Sequence, residues 1–397
     1  MVVQFMMKNV LSFREETILD MTAIPAYKEH SYNLIQGPAN EKFLRVAAIY
    51  GANASGKSNL YLGMHMFQSI VMRSMNSVGE IEENILKKYF NPFAFENNEE
   101  NSEFQLVLNI GKIEHTYGFE FNSEEIASEW LYKRDFNTNR KSILLERSCQ
   151  DITMGASIRR ECNKYKGQIP KETLALTFLS KLNLQTTVFV DVFKEIRGMV
   201  IVDTDFYERH FVIEKLLPQL IDESKDDLLK FLSAIDTGIK NISYEMVDKK
   251  IEFFTTHVGK DKREYSINLY NESQGTLKSI IIFMFASSVI ARNGVMVVDE
   301  LNVKLHPLLL KFIVDLFNKP EAKAQLIYTT HDTTLLDRKF FRRDQIWFVQ
   351  KDEYGYSELS ALSDFKIRSD ASFEKDYLSG VYGGIPSLKD YSLKVGE

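Results

Sequence analysis

Residues Gly51 to Ser58 have the spacing of a loop that binds the phosphates of a nucleotide. They read Gly-Ala-Asn-Ala-Ser-Gly-Lys-Ser and fit G-x-x-x-x-G-K-[ST], the Walker A pattern, at every defined position. Glycines let successive backbone N–H groups point at phosphate oxygens, and the following helix directs its positive end at the same anion. Lys57 should reach the β- and γ-phosphates, and the Ser58 hydroxyl should ligate Mg²⁺. The residues predicted to bind ATP in this loop are Gly51, Asn53, Ala54, Ser55, Gly56, Lys57, Ser58 and Asn59.

Two adjacent acids, Asp299 and Glu300, follow the apolar run Val295 to Val298. A buried strand would bring Asp299 to the sheet edge beside the phosphate loop, where its carboxylate can hold Mg²⁺ through a water. Glu300 would then lie close enough to take a proton from an attacking water. The alternative is a strand that simply ends in a charged turn. The phosphate loop upstream favours the catalytic interpretation.

A histidine, His331, follows a second apolar run that extends from Gln325 to Thr330. A histidine at the tip of a strand can hydrogen-bond the γ-phosphate and report its presence. A lone histidine is more often a capping or structural residue. The functional interpretation of His331 therefore depends on the other two motifs.

Each of these motifs needs a strand before it, and the sequence supplies one. Phe43 to Tyr50 is a short apolar run, typical of a strand buried on both faces, and it ends at Gly51. After Ser58 the apolar residues recur at helical spacing through about Met75. The C-terminal third alternates strand and helix patterns, as a doubly wound α/β sheet does. Residues 88 to 148 show alternating β patterns, with a hairpin turn at Gly111-Lys112.

The spacing of the motifs indicates an insertion. Lys57 and Asp299 are 242 positions apart (299 − 57), more than a compact sheet requires. Long helical patterns without sustained heptads fill residues 155 to 240, which favours a short helical lobe over a coiled coil. We therefore predict three segments. Residues 1–150 form the first part of an ATPase head with an antiparallel β subdomain, 151–241 the inserted helical lobe, and 242–397 the rest of the head.

The composition is that of an ordinary globular protein. Hydrophobic residues make up 44% and charged residues 26%, and the net charge of −6 gives no general attraction to nucleic acid. The N-terminus lacks signal-peptide features, and no run approaches the roughly 20 apolar residues of a membrane span. The two cysteines, Cys149 and Cys162, show no metal-binding spacing. These features predict a cytoplasmic protein with free thiols and no membrane association.

The order of the motifs resembles that of a known family. The phosphate loop, then Glu272 to Thr276 (ESQGT), then VVDE, then TTHD resemble the ABC-type ATPase heads of RecF- and SMC-like proteins. The resemblance is closer to bacterial overcoming-lysogenization and abortive-infection ATPases of the RloA/AbiLi kind. It is carried by IYGANASGKSNL, DELNVKLHP, RRDQIWFVQKD and YLSGVYGGIP. It covers about residues 1–60 and 265–390.

The resemblance implies a fold and a set of roles. The fold would be α/β, an ABC-type ATPase head with a mixed sheet, a P-loop core, an antiparallel β subdomain and an inserted helical lobe. Ser273 and Gly275 would contact the γ-phosphate held by the other subunit of a homodimer or higher oligomer. Asp299 would be the Walker B aspartate, Glu300 the catalytic glutamate and His331 the switch histidine. ESQGT departs from the L-S-G-G-Q signature, and Asn302 to Lys304 depart from the usual D-loop residues.

The resemblance also implies a function. The chain would hydrolyse ATP with Mg²⁺ at a head-to-head dimer interface, as the sensor of an anti-phage defence system that controls a separate nuclease or toxin. The partners would be this separate effector protein and DNA or a phage component. An alternative is a RecF-like DNA-repair ATPase that binds DNA when ATP closes the dimer. A transporter motor is disfavoured because no membrane-coupling motif is recognised.

A further alternative is a metal-dependent nuclease site within the chain. An apolar run ends in D-x-D at Asp203 and Asp205, which superficially resembles a Toprim metal site. The competing interpretation is a strand that leads into the N-cap of a helix. The sequence favours the N-cap, because no strand-borne glutamate precedes these residues.

Overall fold

The computed structural model describes residues 1–77, 84–96, 100–202, 210–248, 250–368 and 371–385. The strands are β1 Val2–Lys8, β2 Thr17–Asp20, β3 Leu34–Gln36, β4 Lys42–Leu44, β5 Val46–Gly51, β6 Ser102–Ile110, β7 Ile113–Phe121, β8 Ile126–Asp135, β9 Arg140–Ser148, β10 Asp151–Met154, β11 Val200–Val202, β12 Asn241–Val247, β13 Lys250–Val258, β14 Glu264–Asn268, β15 Val295–Val298, β16 Gln325–Thr330, β17 Ile346–Lys351 and β18 Ser357–Ala361. The α-helices are α1 Lys57–Arg73, α2 Ile85–Tyr89, α3 Arg159–Cys162, α4 Ala175–Ser180, α5 Val188–Arg197, α6 His210–Ala234, α7 Gln274–Ala291, α8 Pro307–Phe317 and α9 Phe373–Leu378.

The central sheet has the strand order β11-β15-β16-β5-β17-β18. All neighbouring pairs are parallel except β17 and β18. Alternate residues of β5 enter two different cores: Ala47 and Ile49 enter one, and Val46, Ala48 and Tyr50 enter the other. A strand covered on both faces needs apolar residues at every position, which explains the unbroken apolar run before Gly51.

The predicted strand from Phe43 to Tyr50 is in fact two strands. β4 pairs with β3, whereas β5 joins the central sheet, and Arg45 separates them. The Arg45 side chain is buried and donates hydrogen bonds to the carbonyls of Tyr32 and Pro320, at 3.0 Å each. The two carbonyls thus accept hydrogen bonds from Nε and Nη2 of a guanidinium that interrupts the apolar run.

A second sheet is antiparallel, with the order β10-β9-β8-β7-β6-β1-β2. It packs on α1 through aromatic side chains; Phe67 of α1 stacks on Phe119 of β7 with a centroid separation of 5.7 Å. The predicted hairpin at Gly111-Lys112 is confirmed, because β6 ends at Ile110 and β7 begins at Ile113. A mixed sheet around the phosphate loop, with an antiparallel β subdomain beside it, is therefore confirmed.

The segment predicted to be an inserted helical lobe, residues 151–241, is less uniformly helical than the sequence indicates. Helices α3 to α6 lie in it, but β10 pairs with β9, and β11 pairs in parallel with β15. The helix expected over ETLALTFLSKLN is only Ala175–Ser180. Buried residues of α4 and α5 share a core with α1, so these helices pack against α1. The boundaries 151 and 241 stay predictions, and Asp203 and Asp205 lie outside the described residues.

Helix α7 is long and apolar enough to cross a membrane, judged by length and composition alone. In this structure its apolar side chains instead belong to the core on one face of the central sheet. Phe283 of α7, for example, stacks on Phe231 of α6 with a centroid separation of 4.6 Å. We therefore describe α7 as a core helix of the head.

A buried histidine in the antiparallel sheet predicts a loss of stability in acid. His115 of β7 is 6% exposed, and burial lowers its pKa to about 4. In the unfolded chain its pKa is near 6.5, so the unfolded state binds the extra proton as the pH falls from 6.5 towards 4. Stability is then lost across this window, by up to about 3 kcal/mol.

The measurement is urea unfolding at pH 7 and at pH 4.5, on the parent and on a His115→Gln variant. Carboxylates titrate in both proteins, so only the difference between them reports on His115. We expect the variant to lose less stability than the parent between the two pH values. Equal losses in the two proteins would contradict this assignment.

Candidate nucleotide site

Three neighbouring parallel strands end at the same edge of the central sheet. β5 ends at Gly51, β15 at Val298 and β16 at Thr330, and β16 lies between the other two. The residues that follow these strands are the phosphate loop, the pair Asp299 and Glu300, and His331. Because parallel strands carry their carboxyl ends to one edge, the three predicted motifs are brought together there.

The loop between β5 and α1 has a backbone that requires glycine. Gly56 has a φ of 115°, and a Cβ on it would lie 2.4 Å from the Ser357 hydroxyl. A Cβ on Gly51 would lie 2.5 Å from the Val349 carbonyl oxygen. Ala54, at the exposed top of the loop beside Asn53, also has a positive φ of 62°. The chain therefore curls tightly here, as a phosphate cradle must.

Lys57 lies inside this loop. Its side chain is buried, and Nζ donates hydrogen bonds to the carbonyls of Gly51 at 2.8 Å and Ala52 at 2.9 Å. Burial lowers its pKa to about 8, although the charges of Glu300 and Asp299 act in the opposite direction. Among the residues that the structure describes, the buried Ser55 hydroxyl has no hydrogen-bond partner. An ammonium and an unsatisfied hydroxyl in a ring of backbone suit an anionic ligand.

The side-chain oxygen atoms of Ser58 and Asp299 lie within hydrogen-bonding distance of each other. The Ser58 hydroxyl hydrogen-bonds the Asp299 carboxylate, and Thr329 Oγ1 donates to Asp299 Oδ1 at 2.6 Å. Burial raises the pKa of Asp299, and these hydrogen bonds act against that rise. Within the described ranges, no group of three or more His, Cys, Asp or Glu residues could hold a metal. The pair fits Mg²⁺, which takes few protein ligands and completes its shell with phosphate and water.

Glu300 and His331 face each other beside this pair. His331 Nε2 lies 3.2 Å from Glu300 Oε1, and both side chains are about a third exposed. The Glu300 amide donates to Thr329 Oγ1 at 2.7 Å, and its φ of 47° is unusual for a residue with a side chain. Strained backbone of this kind is concentrated at functional sites. The carboxylate can therefore meet water while remaining oriented.

Ser273 and Gly275 lie at the start of α7, whereas the phosphate loop precedes α1. Ser273 is exposed and caps the helix, with its Oγ accepting from the Thr276 amide at 3.0 Å. A Cβ on Gly275 would lie 3.0 Å from the Lys304 carbonyl oxygen, so the helix start packs on the segment Leu301 to Leu305. Gly275 thus contacts the segment that follows Glu300 in the chain.

A set of hydroxyls that the sequence does not predict lies behind the phosphate loop. The Ser357 hydroxyl lies 2.7 Å from the Ser55 carbonyl and 2.8 Å from Ser12 Oγ. Asn59 Nδ2 in turn donates to Ser12 Oγ at 2.7 Å. These contacts join the N-terminal loop, α1 and β18 to the phosphate loop. No local pattern marks Ser12 or Ser357, because their role comes only from the fold.

The C-terminal segment also reaches this edge of the sheet. Gly384 has a φ of 67°, and a Cβ on it would lie 3.5 Å from Gly51 Cα. Tyr377 donates a hydrogen bond to the Gly384 carbonyl at 3.0 Å and stacks on Phe348. Thr333, two residues after His331, donates to Glu374 at 2.7 Å. Residues 373–385 thus connect the phosphate loop with the loop that carries His331.

Two solved structures of SMC heads are similar to this chain. The SMC head bound to the C-winged helix domain of ScpA has a TM-score of 0.45 at 13% identity, with 95% of this chain and 99% of that chain covered. The SMC head domain from Thermotoga maritima has a TM-score of 0.43 at 13% identity, with 92% and 99% covered. Comparison with curated proteins gave no match.

A protein-family match covers the three predicted motifs. The family AAA_21, described as "AAA domain, putative AbiEii toxin, Type IV TA system", matches residues 46–337. The matched range is more than half of the chain and includes the phosphate loop, the Asp299 and Glu300 pair and His331. The chain belongs to the AAA_21 family of ATPase-like AAA domains.

Proposed function

We propose that this protein binds ATP with Mg²⁺ and hydrolyses it at the interface of a head-to-head homodimer. The observation that carries this proposal is the meeting of Lys57, Asp299 and Glu300 at one edge of the parallel sheet, around a glycine-shaped loop. Such an edge is where α/β sheets bind nucleotides. Membership of an AAA-domain family supports the same conclusion.

Each residue of the site has a distinct task in this proposal. Backbone N–H groups of the loop and the Lys57 ammonium bind the phosphates, after Lys57 exchanges its two loop carbonyls for phosphate oxygens. Ser58 and Asp299 hold Mg²⁺, which when bound neutralises charge on the β- and γ-phosphates. Glu300 accepts a proton from the attacking water. His331 Nε2 donates to the Glu300 carboxylate in the absence of nucleotide, and donates to the γ-phosphate instead when ATP is bound.

The dimer supplies the remaining contacts to ATP. Ser273 is exposed at the N-terminus of an 18-residue helix, where backbone N–H groups and the helix dipole favour an anion. Gly275 lets the neighbouring backbone come close. We propose that these residues of one subunit contact the γ-phosphate held by the other, so that ATP closes the dimer. Dimers of this kind could assemble into higher oligomers.

We further propose that ATP-dependent closure serves anti-phage defence in the cytoplasm, as in proteins of the RloA/AbiLi kind. In this role the chain senses DNA or a phage component and controls a separate nuclease or toxin. The family description, which names a toxin and a toxin–antitoxin system, supports a role in such a system. The ATP site of this chain would be the regulatory part.

Calorimetry, light scattering and co-purification test this function. ATP is titrated into the purified protein with and without Mg²⁺ in a calorimeter, while light scattering reports the mass with and without ATP. We expect Mg²⁺-dependent binding and an ATP-dependent dimer. The product of the neighbouring gene is then tested for ATP-dependent co-purification. Absence of nucleotide affinity would refute the ATPase, and ATP-dependent, salt-sensitive DNA binding without a phage phenotype would favour DNA repair over defence.

A further inference from the structure

A lysine on α7 connects the start of this helix with the backbone that carries Glu300. Lys278 lies in the second turn of α7 and is 3% exposed. Its Nζ donates hydrogen bonds to the carbonyl oxygens of Val303 at 2.6 Å and Glu300 at 3.2 Å. A buried ammonium is unfavourable without such acceptors, so these contacts fix the helix and the segment relative to each other.

The segment held by Lys278, residues 300–304, has an unfavourable backbone conformation. Glu300 has a φ of 47° and Lys304 a φ of 60°, and side-chain-bearing residues seldom adopt such values. Strained conformations persist only where the surrounding structure enforces them. The charge of Lys278 is one enforcing contact, since it binds carbonyls from both sides of Leu301.

Two further contacts join the same two elements. The Lys304 ammonium lies 3.3 Å from the Gln274 side-chain oxygen. The backbone at Gly275 approaches the Lys304 carbonyl so closely that a Cβ would lie 3.0 Å from it. The first turns of α7 and residues 300–304 therefore behave as one unit. A displacement of Ser273 at the helix start would be transmitted to Glu300.

We propose that Lys278 is a positioning residue that couples contact of Ser273 with the partner-held γ-phosphate to the orientation of Glu300 in the same subunit. This inference rests on the proposed ATPase function. It assigns Lys278 no contact with ATP. Its removal should therefore slow hydrolysis while the affinity for ATP, set by the loop around Lys57, is retained.

The test compares Lys278→Met with a matched control on the same helix. Methionine keeps an unbranched stem but removes the ammonium. Ser279→Ala is the control, because the buried Ser279 hydroxyl donates within its own helix, to the Gly275 carbonyl at 2.6 Å. We expect kcat to fall at least tenfold in Lys278→Met, with the Kd for ATP unchanged within threefold. Ser279→Ala should retain kcat within threefold.

A double-mutant cycle separates coupling from a merely structural role. Ser273→Ala is measured in the parent and in the Lys278→Met background. If Lys278 transmits the contact, Ser273→Ala should slow the parent severalfold but slow the Lys278→Met protein much less. Additive effects on kcat would overturn the proposal, and so would a parental kcat in Lys278→Met.

The outcomes also distinguish this inference from the function on which it rests. A parent protein that binds no ATP or does not hydrolyse it refutes both. A parent that hydrolyses ATP, with Lys278→Met equally active, refutes only the coupling role. If Lys278→Met does not fold, Lys278→Gln is used, because its shorter amide retains a donor. We then expect an intermediate kcat with parental affinity, and a parental kcat would again overturn the proposal.

Discussion

The Lys57→Ala variant is expected to bind ATP at least a hundredfold more weakly than the parent protein. Lys57 is the charged group buried within the loop, and its Nζ already sits 2.8 Å from the Gly51 carbonyl, inside the curve of the backbone. Charge-assisted hydrogen bonds contribute about 1.5–3 kcal/mol each. Loss of about 2.7 kcal/mol corresponds to the hundredfold change. Calorimetric titration with ATP and Mg²⁺ measures it.

The control for this experiment is Lys87→Ala, which removes an exposed lysine from α2. It should bind ATP as the parent does, so a general effect of net charge is excluded. Thermal unfolding of Lys57→Ala without nucleotide shows whether the loop itself has collapsed. A Lys57→Ala protein that folds and binds ATP with parental affinity would remove Lys57 from the site and contradict the proposed phosphate loop.

The phosphate loop and the acidic pair could be located in the sequence because each follows a strand buried on both faces. In such a strand the apolar run is continuous, and it stops where the backbone leaves the sheet, at Gly51 and at Asp299. The end of each buried strand can therefore be predicted from the end of its apolar run. That the motifs meet at one edge of the sheet was inferred from parallel strands in general. The observed order β15-β16-β5 supports this inference.

Contacts between distant segments could not be predicted in the same way. Ser12 and Ser357 are 345 residues apart, yet their hydroxyls lie within 2.8 Å behind the phosphate loop. Neither residue stands out from the many other serines of the chain. Gly384 is similar, since its approach to Gly51 depends on how residues 373–385 fold over the sheet edge. Such residues are defined by tertiary structure alone.

The lengths of short strands and helices between residues 155 and 240 could not be predicted from the sequence either. Strand β11, Val200–Val202, is too short for a period of two to appear, and it follows helix α5 closely. Its place is set by pairing with β15, where Val202 lies opposite Val298. Leu174, Leu176 and Leu179 are likewise buried, as a helical pattern requires, but their helix ends at Ser180. Packing against α1 and α5, rather than local propensity, decides these lengths.

The Glu300→Gln variant is expected to bind ATP with parental affinity and to hydrolyse it 10²- to 10³-fold more slowly, an effect on the order of that assigned to general bases. Glutamine keeps the shape of the side chain and can still hydrogen-bond His331, whose Nε2 lies 3.2 Å from Glu300 Oε1. It cannot take a proton from water. ATP-bound dimers should therefore accumulate, which light scattering in the presence of ATP would detect.

The same substitution at Glu374 is the control. Glu374 accepts a hydrogen bond from Thr333 at 2.7 Å, close to the loop that carries His331, and glutamine can keep this contact. Glu374→Gln should retain the parental hydrolysis rate within a few-fold. If Glu300→Gln hydrolysed ATP as fast as the parent, Glu300 would not be the base. Lys278 and Thr329 hydrogen-bond the backbone of Glu300, which has a positive φ, and His331 contacts its carboxylate. A Glu300→Gln protein that binds ATP but hydrolyses it slowly would show that these contacts hold Glu300 for proton transfer.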